Sequence, residues 1–221
     1  MYTPAPFAVR DHRAIVGLLR TAGFGHLVTV GGPTTGRPAL HSTPLPFVVD
    51  DELTVVRAHF ARANDHWKSA DGADAMMIVP GNDGYISPNG YPSKTEHHRV
   101  VPTWNYEVVH LQGTLRVHHD SAWKLQLVSD LTNHNESQTE ADEGLPPWQV
   151  ADAPTDFIDK QLQAIVGIEM AISDISAKQK MSQNKPETDR QGAADMLRAS
   201  GRAGDAEMAN VMSSRQPPSR R

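Results

Sequence analysis

Cysteine is absent from the chain. A disulfide framework, thiolate metal ligands and a cysteine nucleophile are therefore excluded together. Positive charge is scarce: 21 Lys and Arg stand against 26 Asp and Glu, a formal net charge of −5. That balance argues against a broad basic face for nucleic acid. Phosphate contacts would fall to the arginines near the C-terminus (Arg198, Arg202, Arg215, Arg220 and Arg221), so DNA is a weakly supported partner. No apolar run reaches the roughly 18 residues that a membrane-spanning helix needs. Charges at Arg10, Asp11, His12, Arg13 and Arg20 precede no apolar core, so no signal peptide is read and the cytoplasm is the expected location. Neither GxGxxG nor GxxxxGK[ST] occurs, which removes both standard phosphate loops.

The eleven histidines do not form a metal pattern. His97-His98 and His118-His119 are adjacent pairs whose side chains point apart on extended chain, and there is no HExxH; no metal site is expected. His119-Asp120-Ser121 holds the residue types of a catalytic triad, but sequence neighbours cannot adopt its geometry. No residue stands out as a dedicated acid or base.

Hydrophobic residues make up 38% of 221, punctuated by 16 glycines and 16 prolines. A chain of this length buries a core without staples. Asp11 is placed to cap a helix over 12–22, with Ile15, Leu18, Leu19 and Ala22 at helical spacing. Strands are expected over 26–30, 37–49 and 52–59. Pro38, Pro44 and Pro46 put the second of these at a sheet edge or bulge. A short helix should start at Asn64, followed by a strand over 75–79 that bends at 80–83, and a loop over 89–99. Residues 107–117 alternate as one long strand with one face in the core. Helices are expected over 121–135, 154–164 and 187–198, with a surface excursion over 136–150, a strand over 165–175 and a polar loop over 178–186. The pattern predicts a mainly β fold, a small antiparallel barrel of about six strands with peripheral helices. It is expected as one domain over 1–199, with a disordered tail over 200–221.

The stretch that draws attention is 57–68, RAHFARANDHWK. A strand feeding a helix N-terminus offers free N–H groups and a partial positive charge, and arginine adds forked donors. Arg62 and Asn64, with His59 before them and Lys68 a turn later, suit an anionic group. The same residues also read as an ordinary N-cap, a solvated arginine and a core tryptophan, Trp67. His41 and Thr43 on the proline-rich strand could offer imidazole and hydroxyl to a ligand, or line a solvated edge. Trp104 and Asn105, in VPTWNY, suit a planar ligand, another subunit or a core anchor. The segment KQKMSQN gathers donors and acceptors.

VPTWNY, HFARANDHW, YISPNGY, FIDKQLQAIVGIEM and KMSQNKPETDR together resemble the PaiB-like family of FMN-binding negative transcriptional regulators, in consistent order over about residues 1–200. The resemblance implies the FMN-binding split β-barrel related to pyridoxamine-phosphate oxidase, as a homodimer with FMN at the subunit interface. It implies that the flavin phosphate lies at Arg62-Ala63-Asn64, with Ala61 and Ala63 replacing hydroxyl or basic residues there. His41 and Thr43 would lie along the flavin, Trp104 and Asn105 near the interface, and Ser182 and Gln183 would reach the site from either subunit. Asn89-Gly90, where family members carry bulk, would open its rim. The alternatives left standing are a flavin-dependent oxidoreductase without a regulatory role and a haem-binding variant of the fold.

Overall fold

The computed structural model describes the backbone of residues 1–34, 37–143 and 146–214, and side chains outside 32–38 and 138–145. Among these residues seven strands form one sheet: β1 (Ala8–Val9), β2 (Phe24–Thr34), β3 (Arg37–Val49), β4 (Val55–Ala61), β5 (Asp74–Ile86), β6 (Thr103–His118) and β7 (Ile165–Lys180). Their order is β1-β7-β4-β3-β2-β5-β6, and β6 pairs again with β7. Six strands therefore close a ring, which removes its free edges, and β1 attaches to β7 as a two-residue addition. The sequence pattern implies an antiparallel barrel, and the family resemblance the split-barrel form that this is. Among the described residues six α-helices accompany it: α1 (His12–Ala22), α2 (Ser93–His97), α3 (Ser121–Glu143), α4 (Thr155–Gln163), α5 (Glu187–Ala199) and α6 (Asp205–Ser214).

The local chemistry follows the expected signals. Asp11 Oδ1 accepts the Ala14 N–H at 2.8 Å and starts α1; Gly23, at φ +55°, ends it. The alternation read over 107–117 holds through β6, where Val109, Leu111 and Leu115 are buried and Thr114 and Arg116 exposed. The proline-rich strand differs from expectation: β3 lies inside the sheet, between β4 and β2. Its ladder to β4 covers only Phe47, Val48 and Val49. Pro44 and Pro46 precede that ladder, so the missing N–H groups cost nothing on that side. β5 runs on through 80–83, where a bend was expected, to Ile86, and β7 continues through 178–180, which were expected in a loop.

The chain divides into two compact units, 19–79 with 110–175, and 1–18 with 80–109 and 176–221. In the first, Leu27, Leu45, Phe47, Val56, Phe60, Met77, Leu111 and Met170 form the interior, each no more than 3% exposed. Arg57 on β4 pairs with Asp130 on α3 at 2.9 Å. In the second, Ile86, Tyr91, Met181, Leu197, Met208 and Met212 cluster with three alanines. The disordered tail expected from residue 200 does not hold for 205–214: these form α6, whose Met208, Ala209 and Met212 are buried. Residues 215–221 lie outside the described residues. The loop expected over 89–99 contains α2, whose first turn is tied to α5 by Asp189: its carboxylate accepts from Ser93 Oγ at 2.7 Å and Ser93 N at 3.1 Å. Gly90, expected to open a rim, instead lies against Gly192 and Ala193 of α5, and a Cβ there would meet Gly192 O at 3.0 Å.

Candidate functional site

The turn after β4 is built as its sequence suggests, but its polar groups are spent internally. Asn64 caps a five-residue 3-10 helix, Asp65–Ser69, by accepting from His66 N at 3.1 Å. Its Nδ2 donates to Thr43 Oγ1 at 3.1 Å. Arg62 is turned to the end of α4: Nε donates to Gln163 O at 2.6 Å, Nη2 to Ile165 O at 3.0 Å, and its backbone N–H to Ala164 O at 2.8 Å. The Gln163 and Ala164 carbonyls are among those a helix C-terminus leaves unsatisfied, and Ile165 opens β7. Lys68 pairs with Asp65 at 2.7 Å, and the Trp67 indole donates to Arg62 O at 2.9 Å. Ala61 is exposed at the strand end. His59 lies on the β4 face of Val55 and Arg57, opposite Phe60. Its Nδ1 is buried without a partner among the described residues, and burial holds its pKa below the ordinary value.

His41 and Thr43 gather on a residue that the sequence did not single out. His66 is 3% exposed. One ring nitrogen bonds Thr29 Oγ1 and the other Thr43 Oγ1, each at 2.8 Å. His41 stacks on it at 5.2 Å and Phe60 lies tilted against it at 4.8 Å. Burial, with His41 adding to it, lowers its pKa to about 4. The ring is neutral at pH 7, with one nitrogen donating and the other accepting. Asn64, Thr43, His66 and Thr29 thus form a continuous polar chain.

The other expected residues lie in the second unit. Trp104 is 51% exposed; its indole donates to Asp83 Oδ1 at 2.7 Å and its ring meets Tyr85 edge-on at 6.0 Å. Asn105 is fully buried, and its Oδ1 accepts from Ser182 Oγ at 3.1 Å. Ser182 adopts φ +58°. Gln183 closes that bend: Oε1 accepts from Met181 N and Nε2 donates to Gln179 O, both at 2.7 Å. Asn105, Ser182 and Gln183 therefore act as a brace, and Trp104 with Tyr85 presents the accessible aromatic surface. Nearby, the buried Glu107 accepts from Gln179 Nε2 and from Asn82 Nδ2. Lys178 and Lys180 at the end of β7 also escaped the sequence reading; KQKMSQN carried them in plain view as part of an expected loop.

Among the described residues no three His, Asp or Glu side chains converge as a metal set, and no helix is long and apolar enough to cross a membrane. The protein named protease synthase and sporulation protein PAI 2 of Bacillus subtilis is 28% identical over 213 residues, covering 96% of each chain. Rv2991, a conserved hypothetical protein of Mycobacterium tuberculosis, shares the fold with a TM-score of 0.58 at 12% identity, over 85% of this chain and 95% of that one. The flavocytochrome Anf3 of Azotobacter vinelandii shares it with a TM-score of 0.52 at 20% identity, over 78% and 69%. A family model described as "Putative FMN-binding domain" matches residues 1–174, a span that reaches every strand of the closed ring; the chain belongs to that family.

Proposed function

We propose that this protein binds FMN as a homodimer and that its role is regulatory. The observation that carries the cofactor is the family match over residues 1–174, which covers β1 to β6 and enters β7. The site chemistry is compatible with it: Trp104 and Tyr85 form an accessible aromatic wall with the indole N–H fixed by Asp83, a surface suited to a flat heterocycle. When bound, the flavin would supply redox chemistry, and the protein its orientation and surroundings. The Arg62–Asn64 turn serves the phosphate less well, because Arg62 and Lys68 are engaged elsewhere. The regulatory role follows the resemblance to the PaiB-like regulators and the name of the PAI 2 relative, a protease synthase and sporulation protein.

The dimer is supported by an uncovered apolar face. Val30 and Leu40 stand opposite each other on β2 and β3, 58% and 76% exposed, with Phe24 at 48% further along β2. Such a patch on a sheet face calls for a partner. A second copy of the chain is the occupant we infer.

Titration of the purified protein with FMN, followed by flavin fluorescence, should give saturable binding. Failure to bind at high micromolar FMN removes the cofactor. A gel shift on the chain's own upstream DNA at low salt tests direct regulation. Steady NADPH oxidation by the flavin-loaded protein, without any gel shift, would favour an oxidoreductase instead.

A further inference from the structure

Lys178 breaks the rule that charges withdrawn from water are paired, and the half-buried Lys180 lies two residues on along the same strand. Lys178 is 7% exposed. Its ammonium donates to Tyr2 O at 3.2 Å and lies over the Tyr106 and Tyr2 rings, 5.0 and 5.7 Å from their centroids. Lys180 donates to Thr103 Oγ1 and to Trp104 O. Neither is ion-paired with a carboxylate among the described residues. The acids on the same segments are committed elsewhere: Glu107 to Gln179 and Asn82, and Asp83 to the Trp104 indole. Burial holds the Lys180 pKa below its usual value; Tyr106 works against that shift and Lys178 adds to it. The surroundings are open to a ligand, with Trp104 51% and Tyr2 84% exposed.

We propose that Lys178 and Lys180, with the Thr103 hydroxyl, form a binding site for the phosphate monoester of a nucleotide-class ligand. Two ammonium groups without a carboxylate partner among the described residues match a group carrying close to two negative charges, as a phosphate monoester does. The Trp104–Tyr85 surface borders Lys180 through the Trp104 carbonyl and suits the flat ring of such a ligand. The phosphate could be the flavin's own, which rests on the FMN reading, or that of a second nucleotide, which does not.

The test is calorimetric titration of the full chain with FMN, riboflavin and AMP, in the wild type and in Lys178→Met/Lys180→Met. If the flavin phosphate sits here, the wild type prefers FMN over riboflavin by about tenfold or more, and the variant loses that preference. If a second nucleotide sits here, AMP binds the wild type and not the variant, and FMN and riboflavin are unaffected. AMP binding without any flavin binding would sink the FMN reading and leave this site standing. The proposal is overturned if no phosphate-bearing probe binds the wild type. It is equally overturned if the variant keeps its FMN preference and its AMP affinity, which would put the phosphate elsewhere. Circular dichroism checks folding. Should the double variant fail to fold, the half-buried Lys180→Gln carries the same test, and Lys180→Arg should retain phosphate binding.

Discussion

At the scale of single residues, His66 is the most consequential side chain in the first unit. Its folded pKa is about 4 against an ordinary 6.5, because burial disfavours the charged ring. Between those values the unfolded chain binds a proton that the folded chain does not. Stability contributed by the neutral ring is therefore complete above pH 6.5 and is lost as pH falls towards 4, by up to about 3 kcal/mol. His59 and His118, also lowered by burial, act with the same sign. Urea denaturation at pH 7.5 and pH 4.5 should show the loss, and His66→Gln should flatten it. His66→Ala should cost about 2–4 kcal/mol at neutral pH, from a cavity and two stranded threonine hydroxyls. None of this was legible locally. His66 reads as one polar residue in a turn, and its partners Thr29 and Thr43 lie 37 and 23 positions away. Asn64 was legible as a cap because capping is a local contact. Arg62 was not, since the carbonyls it meets lie about a hundred residues on.

At the scale of elements, the C-terminal helix pair holds the second unit together. Met208 is fully buried among Ile86, Tyr91, Met181 and Leu197. Met208→Ala should cost about 2–5 kcal/mol, read as a drop in the denaturation midpoint. Gly90 and Gly192 let the 3-10 turn Pro88–Gly90 and α5 touch backbone to backbone. Gly192→Ala, whose Cβ would overlap Gly90 O, should cost about 2–3 kcal/mol or more in the same assay. Most elements could be read from the chain: α1, β3, β6 and α5 appear within a few residues of their expected bounds, because capping, alternation and helical spacing are local signals. α6 is the exception. Met208, Val211 and Met212 have helical spacing, but the flanking Gly201, Gly204 and Pro-Pro-Ser-Arg-Arg sequence hid a ten-residue helix. Prolines likewise suggested an edge for β3, because the sequence does not reveal how short its ladder to β4 is.

At the scale of the whole molecule, the uncovered β2–β3 face predicts association. Leu40→Lys should shift the sedimenting species from dimer to monomer and leave folding stability within about 0.5 kcal/mol, as expected at an exposed position. An unchanged sedimentation coefficient would place the partner surface elsewhere. The order of the closed ring could be anticipated only as a barrel, since the pairing of β4 with β7 joins segments a hundred residues apart. That separation gives the Arg62 clamp on the end of α4 a kinetic meaning. It closes a loop from residue 62 to 165, and contacts so distant in sequence form late, after the chain has lost the entropy of closing that loop. A late contact leaves the folding rate untouched and sets the rate of escape from the native state. Arg62→Ala should therefore speed unfolding in stopped-flow measurements while refolding proceeds at the wild-type rate, making this arginine a latch on the finished barrel.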